Sequence, residues 1–158
     1  MSWPMACSRP LATNSFTPSK RPGFRIEVFL DSQGSYLQIF LGLRATPGAN
    51  EPQPAEQHIG FLYETSQAWF AVSSDGTVKE STNINAAVTL SNRHIIEFFQ
   101  HDSKAEFWVD GIIKATHTTR LPSSAQKFEF FIQSDASGTA GQFTRLTLGK
   151  VRIQEDTP

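Results

Sequence analysis

From Phe24 onward the chain alternates apolar and polar residues in short runs parted by turn residues, and this period of two constrains the fold more than any other feature. Ten runs show it: Phe24 to Asp31, Tyr36 to Arg44, His58 to Thr65, Gln67 to Ser73, Ile84 to Leu90, Arg93 to His101, Glu106 to Asp110, Ile112 to Thr118, Lys127 to Gln133 and Phe143 to Gln154. Ser32-Gln-Gly34, Ser74-Asp-Gly76, Asp110-Gly111 and Ala136-Ser-Gly138 mark turns between them. No room remains for crossover helices, so the expected fold is all-β, two antiparallel sheets packed as a β-sandwich or jelly roll. At 158 residues the chain suffices for one domain with a real core. Residues 24–158 are expected to form that domain, with Thr46 to Glu56, TPGANEPQPAE, as its longest loop.

Residues 1–23 hold Pro4, Pro10, Pro18 and Pro22, which reads as a Pro-rich extended arm. Trp3, Met5, Leu11 and Phe16 are large apolar groups that a solvated tail does not need. The arm is therefore expected to pack along its own domain or onto a neighbouring subunit of a homo-oligomer, with Trp3, Met5 and Phe16 as interface residues. Only 18% of residues are charged, the net charge is −1, and no basic run exceeds Lys20-Arg21, which excludes nucleic acid as a partner. Cys7 is alone, so neither an intrachain disulfide nor a cysteine-rich zinc site can form. No window approaches the roughly 18 apolar residues of a membrane span, and the N-terminus lacks the cationic start and apolar run of a signal peptide. The expectation is a soluble chain, cytoplasmic or part of a virion.

The segment HIIEFFQHDSKAEFWVDGIIKATHTT, His94 to Thr119, carries two turn signals. With Asp102 to Ala105 as a tight loop, Phe99 faces Trp108, His101 faces Glu106 and Phe98 faces Val109. Glu97, Phe99, His101, Glu106 and Trp108 then share one face, and Ile96, Phe98, Phe107 and Val109 form the core side. A register shifted by one would bury unpaired carboxylates, at several kcal/mol each. Asp110-Gly111 supplies the positive φ angles of a two-residue hairpin turn. Phe29 and Phe131, from other alternating runs, are expected to join the outward face.

The phrase Phe107-Trp108-Val109-Asp110-Gly111, then Ala115-Thr116-His117, Leu121-Pro122 and the closing run Leu146 to Ile153, resembles the C-terminal half of concanavalin A-like lectin/glucanase (LamG-like) jelly rolls. FRIEVFLD and the later IFLGL resemble an earlier strand and the strand after it, so the likeness covers residues 24–155 in order. The resemblance implies two antiparallel sheets, one concave, with ligands on the concave face or at rim loops. It also admits calcium at turns such as those of Asp75, Asp102 and Asp135, although none forms a recognisable calcium loop and no cofactor is expected. Family-16-type glycosidases of this fold carry a Glu-x-Asp-x-(x)-Glu strand. Here the nearest string, Glu27-Val-Phe-Leu-Asp31, puts Phe29 at its centre, so Glu27 and Asp31 read as solvated or rim residues.

Other chemistry is thin. Glu97 and Glu106, diagonal on one face, could pair as catalytic carboxylates, but an exposed ion pair of Glu106 with His101 is the plainer reading. His58, His94, His101 and His117 show no metal-ligand spacing, and no nucleophile elbow or phosphate loop occurs. The positive feature is aromatic. Phe29, Phe99, Trp108 and Phe131, edged by Glu97, Glu106 and His101, suit a glycan, a protein interface, or a face covered by the arm or the long loop. The sequence-based expectation is a non-catalytic binding or assembly module, recognising carbohydrate or acting as a structural, virion-type subunit. The alternative is a glycoside hydrolase or lyase acting on a polysaccharide in the concave cleft.

Overall fold

A computed structural model describes residues 5–30, 37–48, 50–64, 68–88, 92–134 and 146–155, with backbone alone at 5–14, 86 and 134. The strands are β1 (Met5–Phe16), β2 (Gly23–Leu30), β3 (Leu37–Arg44), β4 (Gln57–Glu64), β5 (Ala68–Asp75), β6 (Lys79–Asn83), β7 (Arg93–Gln100), β8 (Ala105–Val109), β9 (Ile112–His117), β10 (Gln126–Ser134) and β11 (Leu146–Gln154). They form two antiparallel sheets, one of six strands in the order β1-β10-β3-β4-β5-β6 and one of five in the order β11-β2-β7-β8-β9. The expected two-sheet β-sandwich is the fold observed.

Alternation explains why the sheets stack. Phe24, Ile26 and Val28 of β2, Ile96 and Phe98 of β7, and Phe107 and Val109 of β8 point inward. They meet Ile39, Leu41 and Leu43 of β3, Ile59, Phe61 and Tyr63 of β4, and Phe128 of β10. Phe24 stacks on Phe98 at 5.3 Å and on Phe128 of the facing sheet at 5.5 Å, while Phe61 meets Phe107 edge-on at 5.6 Å. Each buried ring is worth about 1.5–3 kcal/mol in area removed from water. One polar tie crosses the same interface. Buried His117 of β9 bonds the Ser73 hydroxyl of β5 through Nδ1 at 2.8 Å and the Thr82 hydroxyl of β6 through Nε2 at 3.0 Å. Its burial favours the neutral ring, against a smaller upward pull from Glu80.

One part of the strand reading is corrected. Within the run Ile84 to Leu90 the described residues 84–88 form no strand: Asn85–Ala87 is a 3-10 turn, and the sixth strand of the sheet is the polar segment Lys79–Asn83. The Asn83 side chain accepts from the Asn85 amide at 2.9 Å, and Asn85 in turn accepts from the Trp69 amide at 3.3 Å, local bonds that favour a turn over a ladder. Within the N-terminal stretch, Met5–Phe16 forms edge strand β1 against β10, with a register shift between Pro10 and Ser15. An edge strand tolerates proline because one side of its backbone needs no ladder partner.

Candidate functional site

On the outer face of the five-stranded sheet the alternation places Arg25, Glu27 and Phe29 of β2 beside Arg93, Ile95, Glu97 and Phe99 of β7, then Glu106 and Trp108 of β8. The β7–β8 hairpin closes at Asp102-Ser103, where the His101 amide donates to the Lys104 carbonyl at 2.7 Å. The observed partners are Glu97 with Trp108, Phe98 with Phe107 and Phe99 with Glu106, two residues out of register with the expected Phe99–Trp108, His101–Glu106 and Phe98–Val109 pairs. A slip of two keeps every side chain on its face. It also lets buried Gln100 donate through Nε2 to the Pro122 carbonyl at 2.9 Å. The result is a checkerboard of Glu97 and Phe99 on one strand against Trp108 and Glu106 on the next.

The slip brings the two glutamates to diagonal neighbours, for which Cα separations are about 7–8 Å. Each has cations at hand. Glu97 is bound by Arg25 and is only 13% exposed, while Glu106 takes Lys104 and has His101 Nε2 at 3.6 Å. The Lys104 hydrogen bond holds the Glu106 carboxyl below the usual range against the cost of desolvation, aided by the charges of Lys104 and His101. Glu27, on the neighbouring rung, pairs with Arg93 at 2.8 Å. Trp108 is half-buried, and its indole Nε1 is buried without a hydrogen-bond partner. A shallow groove of about 300 Å³ runs beside this checkerboard between β11, β2 and β7, lined by Arg25, Glu27, Ile95, Lys150 and Arg152. A second hollow of about 130 Å³ adjoins it at Arg25, Glu97, Phe99 and Arg152.

Of the expected ligand-binding residues, Glu97, Phe99, Glu106 and Trp108 are brought together, with His101 at the hairpin end. Phe29 shares the face but lies two rungs along β2 from Arg25, the partner of Glu97. Phe131 does not belong. It lies on β10 in the other sheet and is fully buried, packed with Phe40, Leu62 and Val72. Its alternating run was compatible with either sheet. Among the expected interface residues, Phe16 packs against the chain's own core, only the backbone of Met5 is described, and Trp3 lies outside the described residues. Asp31 and Asp135 also lie outside them. Asp75 is held by Thr77 and Arg120, and Asp102 by Arg21. Among the described residues no three His, Cys, Asp or Glu side chains gather into a metal cluster.

The middle of the outer face of the six-stranded sheet, at Phe40, Arg44, His58, Leu62 and Glu129, is buried. The Pro-rich loop between β3 and β4 straps it from β10 to β6 through bonds from Gly48 to Glu129, Arg44 to Glu56 and the Asn50 carbonyl, Gln38 to Glu51, and the Ser74 hydroxyl to the Pro54 carbonyl. A Lys79–Glu51 ion pair at 3.5 Å completes it. At its centre Arg44 and Glu129, both buried, pair at 3.1 Å. Burial pushes the Glu129 carboxyl up, opposed by Gly48 and Arg44, and pushes buried His58 down to about 4. Sequence reasoning missed this cluster, whose signal was a charge set against apolar residues: Arg44 closing IFLGLR in Leu37–Arg44, and Glu129 inside KFEFFI from Lys127 to Ile132.

This architecture defines the fold class: an antiparallel two-sheet β-sandwich of jelly-roll type. Solved structures similar to it in fold include a Bacillus licheniformis β-glucanase, with TM-score 0.70 and 12% identity over 92% of this chain and 69% of that one. A Thermotoga petrophila endo-1,3-β-glucanase (laminarinase) catalytic domain gives 0.65 and 12% over 97% and 69%. A Bacteroides ovatus mixed-linkage glucan GH16 protein in complex with its product gives 0.66 and 14% over 94% and 74%. No protein-family signature and no curated protein matches the chain. The expectation of a non-catalytic chain is corrected by these likenesses, since enzymes named as glucanases share its fold. The missing single-strand motif does not exclude catalysis, because neighbouring strands place Glu97 and Glu106 together on one face. Among the described residues no helix is long and apolar enough to cross a membrane.

Proposed function

We propose that the chain is a carbohydrate-active domain that cleaves a polysaccharide lying across β7 and β8. The observation that carries this reading is the checkerboard: two diagonal carboxylates alternating with two rings on an outward sheet face. Rings of this kind stack on the C–H faces of pyranose units, and flanking carboxylates accept from their hydroxyls. Glycoside hydrolysis needs one carboxyl to protonate the glycosidic oxygen and a second, ionised, to attack the anomeric carbon or activate water, at separations of about 5–9.5 Å. Glu106, held ionised by Lys104, takes the second role. Glu97, set between Arg25 and Trp108, is the other carboxyl of the pair. The likeness in fold to glucanases supports the substrate class.

The test is release of reducing ends from a panel of neutral and acidic polysaccharides. Glu97→Gln and Glu106→Gln should each abolish turnover while leaving the folded far-UV spectrum intact. Full turnover in both variants, or none by the natural chain on any glycan, would overturn the assignment.

A further inference from the structure

We propose that the groove beside the checkerboard is a subsite for an acidic sugar unit, so that the glycan taken is a polyanion bearing carboxylate or sulfate groups. The inference rests on the reading just given and names its substrate class. Arg152 on β11 and Arg25 on β2 are direct cross-strand partners on the outward face. Like charges opposite one another destabilise a sheet unless an anion lies between them. Arg25 has Glu97 on its other side, and Glu27 is taken by Arg93. Lys150 and Arg152 therefore line the groove with no carboxylate partner among the described residues. In a chain of net charge −1 this is a local surplus of positive charge, set where a ligand lying across Trp108 and Glu97 continues toward β11.

The adjoining hollow is lined by Gly23, Phe99, Arg152 and Gln154. The Phe99 ring lies close over Gly23, where a Cβ would stand 2.9 Å from it. A sugar resting on the half-exposed Phe99 ring places the acidic group of the next unit toward Arg152 and Lys150 in the groove. Arginine suits this because its planar fork binds a carboxylate or sulfate through two parallel N–H bonds.

The experiment is calorimetric titration of the full chain with polygalacturonate, dextran sulfate and a neutral mixed-linkage β-glucan, comparing the natural protein with the exposed double variant Lys150→Gln/Arg152→Gln. The natural chain should prefer an acidic glycan, and the double variant should lose affinity for it by roughly tenfold while its affinity for neutral glucan stays unchanged. Preference for polygalacturonate assigns the group as carboxylate, and preference for dextran sulfate as sulfate. Equal affinity for neutral and acidic glycans, or a double variant that keeps the preference, overturns the inference. Neutral-glucan binding that is lost in Trp108→Ala while no acidic preference exists would sink the subsite and leave the wider reading standing. No binding of any glycan would sink both.

Discussion

Glu97 on β7 stands directly opposite Trp108 on β8, on the face of the five-stranded sheet that looks away from the core. The pairing puts an acid and a flat ring side by side, and the next rung repeats it in reverse with Phe99 and Glu106. From that relationship follow the roles of four side chains and of the hairpin that positions them.

Trp108→Ala removes the ring on which a sugar would stack and should lower glycan affinity by about tenfold, in line with the roughly 0.5–1.5 kcal/mol of an aromatic contact beyond its area burial. Trp108→Phe keeps a ring and deletes an indole N–H that is buried without a partner. It should match or exceed the natural chain's stability by up to about 1 kcal/mol. Urea denaturation of both variants, with binding measured in parallel, checks the pair.

Arg44→Met leaves Glu129 without its main cation in a fully buried site and should destabilise by about 3–5 kcal/mol. The double change Arg44→Met/Glu129→Leu removes both charges and should recover most of that loss. Equal losses in the single and double variants would mean that packing, rather than charge, holds the strap to the sheet.

Acid should loosen the same region. His58 is buried and its folded value is pushed down to about 4, so the unfolded chain binds its proton more readily. Stability from neutral His58 is complete above its unfolded value near 6.5, declines as pH falls, and is gone by about 4, a change of about 3 kcal/mol at most. Burial raises Glu129 and Glu51, which lose stability as pH rises through their folded values and so act in the opposite direction. The stability–pH curve of His58→Gln should be flatter between pH 6.5 and 4 than that of the natural chain, as measured by denaturant midpoints.

Gly111 has φ +78 and nothing within 4 Å of where a Cβ would stand, so Gly111→Ala meets backbone strain alone. The expected cost is about 1 kcal/mol, without a change in glycan affinity. Thermal midpoints and titration on the same sample decide this.

The fold was legible because alternation survives in most strands that pack on the core, from Phe24-Ile26-Val28 to Phe107-Val109. Edge strand β6, Lys-Glu-Ser-Thr-Asn, has no apolar side and left no trace in the pattern. The hairpin register was missed by two residues because a period of two looks the same after such a slip, and Asp102-Ser103 lacks the glycine that would have marked the turn. Phe131 was misplaced for a related reason, since alternation says that a residue faces outward but not from which sheet. The Arg44–Glu129 pair spans 85 positions, a distance that local pattern cannot bridge.

The central claim is that a glycan lies on the outer face of the five-stranded sheet. Amide chemical-shift mapping of the labelled chain, titrated with oligosaccharides from a polysaccharide that it cleaves or binds, tests it most directly. The account predicts shifts concentrated at Arg25, Glu97, Phe99, Glu106 and Trp108, with the strap around Arg44 and Glu129 silent. Shifts confined to the strap and to β3, β4 and β10 would contradict it.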